Sequence, residues 1–299
     1  MPEPKKWMRL DNAAKIFPAV KRRDWSNVFR LSATLTQPID PLLLQEAVRL
    51  VAPRFPSMLV SLHRGLFWYY LEQVPEPPRV RPDSSCPLVH MTSRELETCA
   101  LRVLYFRNRI AVEFFHSITD GNGGLVFLKT LTAAYVSLRD GISIPPEEGV
   151  LDWHMPPDPA EWEDSFLKVA GQVSMSRREE NAFRIQGPRE QDGFLHLTVA
   201  TVSSEALRTL AKAHGVTITA FLAAVMLQAI MELRPRRSHR WAKVTIPVDL
   251  RRLFESRTLR NFALTVNVGV DPRLGAYSLD ELCSVVQGQL AMQVTPQQM

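Results

Sequence analysis

A mixed α/β chain, an α+β two-layer sandwich in two lobes, is the fold class that three observations predict. Strand-like and helix-like patterns alternate irregularly, with two hairpins in the first half. Residues 142–163 are rich in proline and acid, carry no period and divide the chain. The 299 residues, 45% hydrophobic and 22% charged, suffice for two cores at about 150 residues per domain. The expected organisation is a first lobe over 1–150, a linker over 151–165 and a second lobe over 166–299.

Each element has a local reason. Val28–Leu35 alternates loosely and reads as a strand. Asp40-Pro41 opens a helix, Asp as N-cap and Pro at the first helical position, with Leu43, Leu44, Ala47, Val48 and Val51 as its stripe. Arg54-Phe55-Pro56 ends it, because proline disfavours helix in the residue before it. Met58–Leu62 and Leu66–Leu71 flank His63-Arg64-Gly65 as a hairpin; Cys99–Phe106 and Arg109–His116 form a second around Arg107-Asn108. Gly124–Leu138 reads as a helix with Leu125, Leu128, Leu131, Ala134 and Tyr135 on one face, closed by Gly141. Phe194–Val202 alternates as a strand. A helix capped by Ser203 or Ser204 carries Leu207, Leu210 and Ala211 and stops at His214-Gly215. Thr217–Leu233 is the most apolar helix and is expected to be buried; strands Ala242–Val248 and Phe262–Val270 and a helix from Ser278 follow.

Composition excludes several classes. The balance of apolar and charged residues is that of a globular protein, not a disordered one. The net charge of +5 is held by the first 30 residues, with eight basic and three acidic side chains; the rest is neutral. No basic stripe lies on the folded body, so no nucleic-acid partner is expected. No apolar run follows the N-terminal lysines, and Val216–Met231 is too short for a membrane span. Three widely spaced cysteines make neither a disulfide framework nor a metal knuckle, which fits a cytoplasmic protein.

The chemistry concentrates at Glu113-Phe114-Phe115-His116-Ser117-Ile118-Thr119-Asp120-Gly121-Asn122-Gly123-Gly124. Ile110, Val112, Phe114 and His116 share one strand parity, so the imidazole faces the apolar side, where burial favours its neutral form. Asp120 sits where strand turns into helix, and Gly121, Gly123 and Gly124 permit close approach of a second backbone or a ligand. By residue type alone His116 is a general base or a satisfied core histidine, and Asp120 a catalytic partner or a helix cap. No G-x-S-x-G elbow is present, and no second His or Cys stands at metal-ligand spacing, so no metal is expected.

His-Ser-Ile-Thr-Asp-Gly resembles the HHxxxDG motif of the CoA-dependent acyltransferase superfamily, the chloramphenicol acetyltransferase-like enzymes, with Phe115 in place of the first histidine. Arg54-Phe55-Pro56 is similar to the family's early R-H-P segment, and Leu207–Leu222 to the paired helices that open its second lobe. Ile246-Pro247-Val248-Asp249-Leu250-Arg251, with Leu259-Arg260-Asn261-Phe262, looks most like bacterial alcohol acetyltransferases; condensation domains of peptide synthetases are more distant. The resemblance runs in order through residues 8–292.

That resemblance implies a two-lobe fold whose second lobe is incomplete, since relatives continue with further helices, strands and a late D-F-G segment. It implies acyl transfer from an acyl-CoA co-substrate, in particular acetyl-CoA, to a small-molecule alcohol, with no permanently bound cofactor. His116 would be the general base and Asp120 a structural residue paired with Arg251, or with the adjacent Arg252. A carrier-protein thioester as donor, or a non-catalytic relative that binds a partner, are the alternatives. On Ala263–Val270, one face (Leu264, Val266, Val268, Val270) reads as core and the other as small and polar. Thr265 or Asn267 on that second face is a candidate oxyanion donor or a solvated edge residue. Arg234, Arg236, Arg237 and Arg240 form a basic loop, either a solvated turn or a site for CoA phosphates. His63, His90, His154, His196, His214 and His239 join no constellation legible in the sequence.

Overall fold

The computed structural model describes residues 7–21, 25–84, 86–169, 180–188, 190–191, 194–235 and 237–299. In chain order the elements are β1 (Trp7–Arg9), α1 (Ile16–Ala19), β2 (Val28–Thr34), α2 (Pro41–Val51), β3 (Val60–Arg64), β4 (Tyr69–Gln73) and β5 (Arg81–Pro82). Then come α3 (Ser93–Leu96), β6 (Leu101–Phe106), β7 (Arg109–Phe115), α4 (Gly121–Asp140), α5 (Phe166–Val169) and α6 (Ser204–Ala213). Last are α7 (Ile218–Leu233), β8 (Ala242–Asp249), β9 (Ala263–Val270) and α8 (Leu279–Gln293). The chain divides into two units: Met1–Ala170 with Glu190–Leu195 and Glu255–Phe262, and Gly171–Arg189 with His196–Phe254 and Ala263–Met299.

In the first unit, one sheet has the order β2-β7-β6-β5 and a second the order β1-β4-β3. Strand β7 is central, antiparallel to β2 and β6, and buried on both faces. Its Glu113, 1% exposed, is in register with Arg30 on β2 and Arg102 on β6, and both guanidiniums bind its carboxylate. Arg30 also holds Asp83 through two 2.8 Å bonds, so this residue of the basic N-terminal stretch belongs to a buried ionic row. A carboxylate removed from water needs such partners, because its desolvation otherwise costs several kcal/mol, on the order of the Coulombic gain. Helix α4 packs on β2 and β7 and against α2. Phe55, Phe114, Phe127 and Tyr135 fill the space between, and the Tyr135 hydroxyl accepts from Asp40 N at 2.9 Å.

The ends of these elements follow from local chemistry. Asp40 caps α2 through Leu42 N and Leu43 N, with Pro41 at its first position. Gly141 ends α4 in the left-handed region at φ 66°. Helix α4 is longer than expected at both ends, and its Leu125 is 41% exposed while Phe127 and Ala133 lie inside. The turn of the first hairpin is Gly65–Trp68, not His63–Gly65. His63 and Arg64 stay paired with Tyr70 and Tyr69, and Gly65 N donates to Trp68 O at 2.8 Å. Composition misleads there, because the apolar Leu66, Phe67 and Trp68 stand exposed in the turn.

Residues 151–163 pack onto the first core through Leu151, Trp153 and Trp162. Buried Glu161 receives a bidentate pair from buried Arg54, and Arg54 Nε donates to Asp152 O at 3.1 Å. Phe194–Val202, expected as a strand, is irregular and largely exposed. Its alternation finds no ladder, since β8 pairs with β9 and none of the described strands pairs with 194–202.

In the second unit α7 and α8 cover the antiparallel β8–β9 pair, and α6 packs against α7. Ser203, Thr217 and Ser278 cap the three helices, and Ser278 completes a capping box with Glu281. Helix α7 buries Ala220, Phe221, Ala223, Ala224 and Leu227 but exposes Leu222, Val225 and Met226, so it is half-buried rather than enclosed. Arg234 donates to Ser238 O and closes its own turn; Arg236 lies outside the described residues. Among the described residues no single helix is long and apolar enough to cross a membrane.

Candidate active site

His116 follows directly on β7 and continues its pairing, its N–H donating to Asn27 O at 2.9 Å. The imidazole stacks on Phe17 with ring centroids 4.3 Å apart and 11° between planes. Phe29 lies against both Phe114 (5.1 Å) and His116 (4.8 Å), on the face those two share. Asn27 ties this wall together, because its Nδ2 also donates to Phe17 O at 2.9 Å. It does so at φ 51°, a left-handed conformation that asparagine tolerates better than most residues.

At its Nδ1 edge the ring meets Asn261: His116 Nδ1 and Asn261 Oδ1 are 3.3 Å apart. With the amide oxygen toward the ring, the proton sits on Nδ1 and the Nε2 lone pair is left to act as a base. Asn261 is carried by residues 255–262, which belong to the first unit and are held in it by several bonds. Leu259 N donates to Glu161 O (2.6 Å), Thr119 Oγ1 to Leu259 O (2.7 Å) and Thr258 Oγ1 to Glu163 O (2.8 Å). Arg260 reaches Arg9 O at 2.6 Å and Asp11 at 3.6 Å. Burial pushes the Asp11 carboxyl up to about 6 despite the opposing pull of Arg260.

Asp120 is 5% exposed, and its carboxylate faces backbone amides. Oδ1 accepts from Asn122 N and Gly123 N at 3.2 Å, capping α4; Oδ2 accepts from Phe262 N at 2.9 Å. It therefore fastens the His116 turn to the segment that bears Asn261. Of the three glycines, Gly123 has a steric reason, since a Cβ there would overlap Leu259 O and the Thr119 hydroxyl. Gly124 has a milder one, with Phe29, Leu31 and Phe114 at 3.0–3.2 Å from such a Cβ. Gly121 has none: a Cβ at this position meets nothing within 4 Å.

Arg251 and Asn267 belong to the second unit. Arg251 is buried and its Nη1 donates to Asp249 Oδ1 at 2.8 Å, whereas Arg252 is exposed. Asn267 Oδ1 accepts from Thr245 Oγ1 at 2.6 Å across the β8–β9 pair, so its side-chain oxygen is engaged on the same sheet.

A cleft of about 460 Å³ opens on His116 in the first unit. Its walls are largely apolar and aromatic, and include Phe17, Trp25, Leu88 and Phe194, with His90 as a second imidazole. Asn261, Asn27 and His90 are absent from any sequence-derived set of site residues. Asn261 stands in the quoted Leu259–Phe262 motif, but its role depends on a fold-back that no local pattern announces. His90 carried no signal at all.

No protein-family model matches the chain, and no curated protein matches it. Solved structures do. The chain aligns with polyketide synthase associated protein 5 from Mycobacterium tuberculosis at TM-score 0.62 and 16% identity, over 97% of this chain and 74% of that one. The first condensation domain of the CDA synthetase gives 0.61 and 13%, over 100% and 76%. TRI101 of F. sporotrichioides, complexed with coenzyme A and T-2, gives 0.61 and 13%, over 97% and 74%. At these identities the likeness is one of fold: the chain has the mixed α/β fold of condensation domains and CoA-dependent acyltransferases, and spans about three-quarters of each.

Proposed function

We propose that this protein is an acyltransferase that moves an acyl group, acetyl in the first instance, from a CoA thioester to an alcohol, with His116 as general base. The observation that carries the reading is the seating of His116: stacked on Phe17, opposed by Asn261 at Nδ1 and lining an apolar cleft. The fold shared with TRI101, whose structure holds coenzyme A, supports the thioester donor.

In this reading Nε2 of His116 takes the proton of the acceptor hydroxyl as its oxygen attacks the thioester carbonyl. The C–O bond forms, the carbonyl electrons move onto oxygen, and the tetrahedral oxyanion collapses with cleavage of the C–S bond. The thiolate then recovers the proton from the imidazolium, so no acyl-enzyme is needed. Asp120 acts by holding the His116 turn, with Arg251 as its proposed partner, and Asn267 is the proposed oxyanion donor. A cytosolic setting completes the proposal and suits three unpaired cysteines, of which Cys99 is pushed up to about 11 by burial.

The condensation-domain neighbours favour a second reading, in which a carrier-protein thioester replaces CoA. One assay addresses both: free thiol release from acetyl-CoA, or from an acyl-pantetheinyl carrier, with a panel of alcohols and amines. The expected result is release from acetyl-CoA that falls ~10²–10⁴-fold in His116→Ala. Release from the carrier alone would transfer the function to the second reading, and release from neither donor would sink both.

A further inference from the structure

The cleft that serves His116 carries a second imidazole, and its chemistry narrows the acceptor. Resting on the acyltransferase reading, we infer that the cleft takes an aromatic alcohol bearing a second, hydrogen-bond-accepting oxygen, which His90 recognises by donating from Nε2.

Three observations carry this. The first is the aromatic rim. Trp25 is 65% exposed, Phe194 51% and Leu195 45%, and all three line the same cleft as the stacked Phe17–His116 pair. A flat apolar body lying in the cleft would cover them, and aromatic surfaces gain most from such contact. The second is polarity. Beside the apolar Val28, Leu88 and Leu195, the described lining offers Ser26 and Asn27 as uncharged polar groups, a surface that suits an uncharged, mostly apolar acceptor.

The third is His90 itself. Its Nδ1 is buried without a hydrogen-bond partner among the described residues. A bare lone pair is cheaper to bury than an unsatisfied N–H, so the proton belongs on Nε2. His90 also lines the cleft, and Nε2 is the one polar ring atom left for an occupant. Burial, with the positive charges of Lys21 and Arg102 nearby, holds its pKa below the usual value against the pull of Glu95 and keeps the ring neutral. A neutral ring with Nε2–H donates one hydrogen bond and prefers an ether, carbonyl or hydroxyl oxygen. The reacting hydroxyl at His116 and the second oxygen at His90 then fix the occupant at two points.

The test uses 2-phenylethanols carrying a ring methoxy group (ortho, meta or para) against their size-matched ethyl analogues. Affinities are measured by calorimetry on the whole chain with His116→Ala, where no turnover intervenes, and on the same background with His90→Leu or His90→Gln. The expected result is a five- to tenfold preference for one methoxy isomer over its ethyl analogue, the size of one hydrogen bond. His90→Leu abolishes the preference, and His90→Gln, which keeps a donor, retains most of it. Equal affinity for methoxy and ethyl analogues, or no measurable binding of either, overturns the inference. So does an equal weakening of both by His90→Leu, the signature of a merely structural residue, or displacement of the alcohols by free CoA. If His90→Leu does not fold, the preference of the parent and of His90→Gln still decides. Binding with the expected preference but no thiol release in the wild type would leave this inference standing and sink the acyltransferase reading instead.

Discussion

His116 Nδ1 and Asn261 Oδ1 stand 3.3 Å apart although 145 residues separate them in the chain. The contact makes the seating of His116, the proposed base, depend on a distant segment, and that segment depends on Asp120, Thr119 and Glu161 for its seat.

On the proposed reading Asn261 positions His116, and its removal should be felt in turnover more than in binding. Asn261→Ala is expected to lower kcat roughly 10–100-fold with little change in KM, an orientation effect. Asn261→Asp places a carboxylate on Nδ1 and should move the acidic limb of the kcat/KM profile to higher pH. A loss of stability without either kinetic change would make the contact structural only.

Asp120 joins two backbone segments, so Asp120→Ala removes the α4 cap and strands Phe262 N. Together these cost about 2–4 kcal/mol, measurable by urea unfolding. The proposed pairing with Arg251 has its own check. Asp120→Arg combined with Arg251→Asp should recover activity relative to either single change, and an absence of recovery rejects the pair.

Gly123 and Gly121 make a paired comparison at one helix start. Gly123→Ala drives a methyl group into Leu259 O and should cost about 1–3 kcal/mol. Gly121→Ala enters open space and should stay within about 0.5 kcal/mol of the parent, or gain from helix propensity. Equal losses at both positions would remove the close approach of residues 258–262 as the cause.

Asp11 supplies a pH signature. Its folded pKa of about 6 lies above the ordinary 3.8, so the native state binds the proton more tightly than the unfolded chain does. This group's contribution is therefore fully present below about pH 4 and is lost as pH rises through about 6, a change on the order of 2–3 kcal/mol. Asp11→Asn cannot titrate, so its stability relative to wild type should rise by that amount between pH 4 and pH 7. Parallel stability curves for the two proteins would contradict the assignment.

Where a structural feature depends on residues within one turn of each other, the amino-acid order announced it. Asp40-Pro41, Gly141, Thr217 and Ser278 do what their types dictate, because a cap is an interaction between a side chain and backbone groups two or three residues away. The second hairpin and the β8–β9 pair follow from alternation joined to a partner that is really there. Phe194–Val202 has the same alternation and no partner strand among the described residues, and it stays irregular.

The site divides along the same line. His116 and Asp120 are legible, since a histidine of apolar parity, an aspartate at a helix start and neighbouring glycines are all local facts. Yet the reading of the glycines could not tell Gly123, which a passing backbone crowds, from Gly121, which nothing crowds. Asn261, Asn27 and His90 entered the candidate site through long-range packing: a return segment, a left-handed residue just before β2 and the wall of a cleft. One-dimensional pattern carries propensity and periodicity, which act over a few residues. Which atoms meet across 145 residues is decided by the packing of whole elements, where the free energy of burial and hydrogen bonding is shared by the entire unit and is written in no single stretch.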